Sequence, residues 1–187
     1  PEAISALARR RPDVEVGLDE AEPPEAMAAV VAGNADLALV FGYDGPPEGL
    51  GALVWLGLLD EPVHLVLPPG HRSVTRLADL ADASWIGGCV RCRGHLVDCC
   101  ADAGFVPVIR HTTDDYVVVQ NLVARGLGVT VLPASAIAAY RHADVQVVDL
   151  PALGRRHVGL AHRPGADVVP ATAALIAEIS TAARAQG

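Results

Sequence analysis

The residues best suited to chemistry are four cysteines within twelve positions. Cys89 and Cys92 form a C-x-x-C pair, and Cys99 and Cys100 follow closely. Four thiolates could satisfy a tetrahedral zinc ion. Cys99 and Cys100 are neighbours in a helical stretch, however, so their side chains diverge by about 100° and one site using all four is awkward. A second reading is redox. Arg91 and Arg93 stand beside its thiols, and cations beside a thiol favour the thiolate that exchanges disulfides. A third reading is burial, a common fate of cysteine, and it suits Cys99 at an apolar helix position with Leu96. The residues alone leave the three open, and no metal ligand or cofactor is assigned.

The other candidates are polar groups where strands should end. In open α/β sheets, ligands sit outside the carboxyl ends of the strands. That rule selects Gly42, Tyr43 and Asp44 after one strand, and Gly88, Cys89, Arg91 and Arg93 after another. It also selects Thr112, Thr113 and Asp114 after a third, and Gly128 with Val129 near a crossover. Arg91 and Arg93 could clamp a carboxylate; a solvated surface pair is the alternative. Thr113 or Asp114 could cap the helix near Tyr116, and Asp115 reads as a first-turn acid favoured by the helix dipole. Thr112 is the better ligand candidate, because its hydroxyl falls at a strand tip. His95 reads as a core or cap histidine.

The elements that must position these groups alternate. A helix over 3–11 is closed by Pro12, and Val14, Val16 and Leu18 alternate with polar residues as a half-buried strand. A helix opened by Pro23 and Pro24 ends at Gly33, and a buried strand follows over 36–41. Strand, helix and strand in this order predict a βαβ unit with a parallel sheet. Residues 53–67 predict two short strands broken at Pro62, and the Pro68–His71 turn marks a crossover between lobes. The pattern then restarts with strands at 84–88, 106–112, 129–132, 145–150 and 156–163. Helices fall at 77–83, 94–103, 115–125, 135–140 and 169–185.

Composition narrows the functions. Hydrophobic residues make up 51% and charged residues 19%, as in a globular protein. The net charge of −8 argues against direct DNA binding, which needs a basic face. Residues 1–61 carry twelve acids against three Arg, whereas residues 72–163 carry ten Arg against eight acids, so an anion belongs in the middle of the chain. No apolar run is long enough to span a membrane. No signal peptide is visible, so a cytoplasmic location is expected, where thiols rest reduced. The chain starts at Pro1 rather than Met, which reads as a fragment or processed product.

Several segments together resemble the effector-binding domain of LysR-type transcriptional regulators. They are ADLALVFGY from Ala35, LLDEPVHLVLPPGH at 58–71, LADLADASWIGG at 77–88, AGF at 103–105 with Pro107, and TTDDYVVVQNLVARGLGVTVLP at 112–133. Their order and spacing carry the resemblance. It implies a two-lobed, periplasmic-binding-protein-like α/β fold of type 2, with Rossmann-like lobes joined by two crossover strands. Lobe one would be 1–71 plus 162–187, and lobe two 72–161. It implies a small-molecule effector, a small carboxylate or an aromatic, bound between the lobes and shifting the geometry of a homodimer or tetramer. It also implies DNA contact only through an N-terminal winged helix-turn-helix that, like the first strand, is absent from this chain.

Two other classes compete. A free-standing solute-binding protein would share the fold, against which stand the short lobes and the reducible cysteines. An enzyme on a similar two-lobed scaffold would need a catalytic constellation. The sequence has no G-x-S-x-G elbow, no P-loop and no dinucleotide fingerprint, so the chain is not read as an enzyme. A thiol redox sensor of the same fold is the remaining alternative.

Overall fold

The computed structural model describes residues 1–185. These divide into two compact units: residues 1–60 with 156–185, and residues 61–155.

In the first unit, helix α1 (Glu2–Arg10) packs on the closing helix α6 (Pro170–Arg184). Arg10 reaches the largely buried carboxylate of Glu178 at 2.7 Å. Helix α2 (Pro23–Ala32) begins on a proline and ends at Gly33, whose φ of 79° makes the left-handed turn that side chains resist. It covers strand β1 (Leu37–Gly42), and Met27, Val30, Ala38, Val40, Leu53 and Ala161 form the core. Strand β1 pairs antiparallel with β7 (Arg155–His162), from Leu37 opposite His162 to Gly42 opposite His157. Next to β7 lies β2 (Val54–Leu67). Gly159 permits that approach, since a Cβ there would stand 2.5 Å from the Leu56 carbonyl oxygen.

In the second unit, β2 continues at the centre of an antiparallel ladder. Its far half pairs with β5 (Thr130–Pro133) on one side and β6 (Gln146–Asp149) on the other. Strands β3 (Ser84–Gly87) and β4 (Val108–Thr112) run parallel. A bridge from Trp85 to Val129 joins β3 to the chain entering β5. Helices α3 (Val90–Asp102), α4 (Tyr116–Ala124) and the short α5 (Ala134–Ala139) complete the unit. Val66, Ile86, Val119, Val123, Leu132 and Val145 form its core.

Four expectations change. Residues 14–18 form no strand, although Val14 and Val16 are more shielded than Glu15 and Gly17. Alternating burial marks an extended backbone but does not supply a partner strand. β1 therefore takes β7 as its neighbour, antiparallel, in place of the parallel βαβ pairing. Pro62 does not split β2 into two strands. It has no N–H to give to a ladder, and it sits where β2 changes neighbours, one residue before Val63 donates to the Gly154 carbonyl at 3.2 Å. The divisions fall at 60/61 and at 155/156, earlier than 71/72 and 161/162.

Candidate functional site

The second unit collects most of the chemistry at one edge. Because β3 and β4 are parallel and, past a one-residue register shift between Trp85 and Ile86, pair Gly87 with Thr112, their carboxyl ends lie side by side. Thr113 N–H donates to the Gly87 carbonyl at 3.1 Å and ties the two tips together. Helix α3 starts three residues after Gly87, and α4 starts four residues after Thr112. Two helix N-termini, each with first-turn amides outside the intrahelical ladder and partial positive charge, therefore open on the same end of the sheet.

The heads of these helices are closed differently. At α4, Asp115 is the cap: its carboxylate accepts from Val117 N–H at 2.8 Å and Val118 N–H at 3.1 Å. Thr113 Oγ1 accepts from the Asp115 amide at 3.3 Å. Asp115, rather than Thr113 or Asp114, is thus the capping side chain, because only its carboxylate lies one residue before the first turn. At α3 the cap is Cys89, whose sulfur accepts from Cys92 N–H at 3.4 Å. Sulfur is a weak acceptor, so this head is the less fully occupied.

Small residues shape the α3 head. A Cβ at Gly87 would touch the Arg93 stem at 3.6 Å, and one at Gly88 would stand 3.3 Å from Cys92 Cβ. Arg91 and Arg93 lie in the first turn of α3, Arg91 half-buried and Arg93 exposed. Gly88, Cys89, Arg91, Arg93, Thr112, Thr113 and Asp114 all belong to this edge.

Gly128 and Val129 do not belong to it. Val129 N–H donates to the Ser84 carbonyl and its own carbonyl accepts from Ile86 N–H, both at 2.9 Å, which places it opposite Trp85. The tip at Gly87 lies two residues, about 7 Å, further along the strand. A Cβ on Gly128 would press on Ser84 O at 2.8 Å, so this glycine serves close strand packing. Gly42, Tyr43 and Asp44 lie in the first unit at the carboxyl end of β1. Tyr43 meets Phe41 edge-on at 5.9 Å, and the Arg156 guanidinium lies over that Phe41 ring at 4.7 Å. An open apolar hollow in the same unit, lined by Pro24, Met27, Ala28, Val31, Glu48 and Gly49, contains none of the anticipated residues.

The cysteines separate into two pairs along α3. Cys89 and Cys92, both half-buried, have their sulfurs 3.0 Å apart. Cys99 and Cys100 are buried. Cys99 Sγ lies 3.5 Å from His95 Nε2, and that nitrogen is 2.8 Å from the Leu153 carbonyl. Burial, with Cys99 beside it, pushes the Cys100 thiol up to about 12. Among the described residues no group of three or more His, Cys, Asp or Glu is placed to hold a metal ion.

Comparison with known proteins bears on this arrangement. The sequence model of the LysR substrate binding domain matches residues 1–184. The DNA-binding transcriptional dual regulator OxyR of Escherichia coli K12 is 31% identical over 179 residues, covering 88% of this chain and 55% of that protein. A probable hydrogen peroxide-inducible genes activator of Streptomyces viridosporus is 30% identical over 204 residues, covering 98% of this chain and 60% of its own length. The chain thus spans little more than half of these relatives, which are transcriptional regulators. The effector-binding domain of QuiR, solved with shikimate, superposes with a TM-score of 0.78 at 18% identity, over 99% of this chain and 90% of that one. The two-lobed type 2 periplasmic-binding-like fold follows from such neighbours. Among the described residues no helix is long and apolar enough to cross a membrane.

Proposed function

The chain belongs to the LysR substrate-binding domain family, and from that premise we propose that it is the effector-sensing domain of a transcriptional regulator and takes a small anionic effector at the β3 and β4 tips. The observation that carries the site is the pairing of Gly87 with Thr112, which sets two helix N-termini on one edge. Helix N-termini receive carboxylates readily. Because Asp115 occupies the α4 amides, the effector's carboxylate is assigned to the α3 head, with Arg91 and Arg93 as its cations and the Thr112 hydroxyl as a further partner. Gly42, Tyr43 and Asp44 are kept as a second contact region. The domain acts in a homodimer or tetramer, and DNA contact falls to another part of the regulator, as the net charge of −8 favours.

Effector binding controls transcription only to the extent that the effector prefers one state of the regulator over another, commonly by about 1–3 kcal/mol. A thermal-shift screen of small carboxylates and aromatics, with shikimate and benzoate among them, tests the reading. Saturable stabilisation that Arg91→Ala abolishes supports it. Stabilisation by no compound, or by compounds indifferent to Arg91, Arg93 and Thr112, removes this edge as the site.

A thiol redox signal is the second reading. The 3.0 Å approach of the Cys89 and Cys92 sulfurs favours it, together with the peroxide-inducible activators among the relatives. Four thiols remaining after mild peroxide treatment would dispose of it.

A further inference from the structure

The two cysteine pairs of α3 and its cap differ in burial and in place along the helix. Cys89 and Cys92 are half-buried, while Cys99 and Cys100 are buried. Cys89 at the cap and Cys92 in the first turn bring their sulfurs to 3.0 Å, within about 1 Å of a disulfide bond length. Ten positions separate Cys89 from Cys99, about 15 Å along the axis, and seven separate Cys92 from Cys99, about 10 Å, so those pairs cannot close on an intact helix. The Cys100 thiol, held protonated by burial, is a poor nucleophile.

We propose that Cys89 and Cys92 are a reversible disulfide site, oxidised by exchange with small-molecule disulfides, with Cys89 reacting first. The proposal rests on the thiol reading above and deepens it by assigning the pair, the order of attack and the class of oxidant. Cys89 sits at the positive end of α3, where a thiolate is held best, and its sulfur already accepts from the Cys92 amide. The Cys89 thiolate attacks one sulfur of the small disulfide. A mixed disulfide forms and the other half leaves as thiolate. The Cys92 thiolate, with its sulfur 3.0 Å away, then attacks the Cys89 sulfur. The Cys89–Cys92 bond forms and the second small thiolate leaves. The two protons of the protein thiols end on the two small thiols. The protein loses two electrons, and the small disulfide gains them. The closed ring spans the cap of α3, so oxidation acts on the same helix head as the anion site.

The test equilibrates this chain in glutathione buffers of stepped reduced-to-oxidised ratio and follows it by intact mass and peptide mapping. Wild type is expected to lose two hydrogens in a single two-electron step, confined to Cys89 and Cys92. Cys92→Ser, and Cys92→Ala as a second replacement, should stop at one glutathione on Cys89. Cys89→Ser should capture far less, and Cys99→Ala and Cys100→Ala should titrate like wild type. A pair that stays reduced in oxidised glutathione overturns the proposal, as does a disulfide that includes Cys99 or Cys100. Equal adducts on Cys89→Ser and Cys92→Ser overturn the assigned order. A parallel arm uses hydrogen peroxide. If peroxide oxidises other cysteines while this pair stays reduced, the inference fails and the thiol reading stands; if neither oxidant alters any thiol, both fail.

Discussion

The Asp115 carboxylate lies 2.8 Å from the Val117 amide, and the same oxygen also accepts from Val118 at 3.1 Å. A protein carboxylate therefore occupies the place that a bound anion would take at α4. At the neighbouring head, α3, the Cys89 sulfur takes that role, at 3.4 Å from the Cys92 amide. The difference between an oxygen anion and a sulfur cap is what separates the structural helix end from the candidate binding end.

Asp115→Ala is expected to destabilise the chain by about 1 kcal/mol, the usual cost of losing a cap. Asp115→Asn should retain most of that stability, because an amide oxygen caps nearly as well. Urea midpoints compare the two. A loss in Asp115→Asn as large as in Asp115→Ala would mean that the charge, and not the cap geometry, stabilises α4.

The elements that were legible in the sequence are those whose signals are local. Gly33 ended α2 because a left-handed residue is needed there, and the strands at β3 and β4 carried enough apolar character to stand out. The cap at Asp115 was also in the sequence, but an acid before a helix reads equally as cap or first-turn charge until the start is fixed to one residue. What could not be read was pairing. Val14, Val16 and Leu18 have strand periodicity, yet Leu18 is 81% exposed and the segment joins no ladder. Pro62 looked like a break because its missing N–H is a local fact, while the change of neighbours that tolerates it is a property of the sheet. Gly128 looked like a ligand contact because its distance from the strand tip depends on the Trp85–Val129 bridge.

Thr112→Val tests the strand-tip hydroxyl. Thr112 is exposed, so the isosteric change should leave the urea midpoint nearly unmoved. Loss of a hydrogen bond to a charged effector costs about 1.5–3 kcal/mol, so affinity for any carboxylate that stabilises wild type should fall about tenfold or more. Calorimetric titration reads this directly. Unchanged affinity with unchanged stability takes Thr112 out of the site.

Cys100 gives the chain an alkaline weakness. Its thiol ordinarily ionises near 9.0, and burial with Cys99 nearby raises this to about 12 in the folded state. Between those values the unfolded chain sheds a proton that the folded chain keeps, so stability is intact below the lower value and falls as pH rises through the window. Urea midpoints measured on either side of its lower edge, at about pH 8 and about pH 11, should drop more for wild type than for Cys100→Ala. Parallel declines would show that Cys100 does not contribute to the alkaline loss.

Gly126 and Gly128 stand two residues apart and resist substitution for opposite reasons. Gly126 has a φ of +72° and nothing within 4 Å of an added Cβ, so its constraint is the left-handed backbone alone. Gly128 has an ordinary φ, but its Cβ would lie 2.8 Å from the Ser84 carbonyl and 3.1 Å from Ile86 Cγ1. Asparagine tolerates the left-handed region. Gly126→Asn should therefore be milder than Gly126→Ala, whose cost is about 1–2 kcal/mol. At Gly128 the order reverses: alanine costs about 1–3 kcal/mol through overpacking against β3, and the larger asparagine costs more. Denaturant midpoints of the four variants decide it. Asparagine outperforming alanine at both positions would show that Gly128 is constrained by its backbone, and the close packing of Ser84 against Gly128 would lose its role in joining β3 to the ladder.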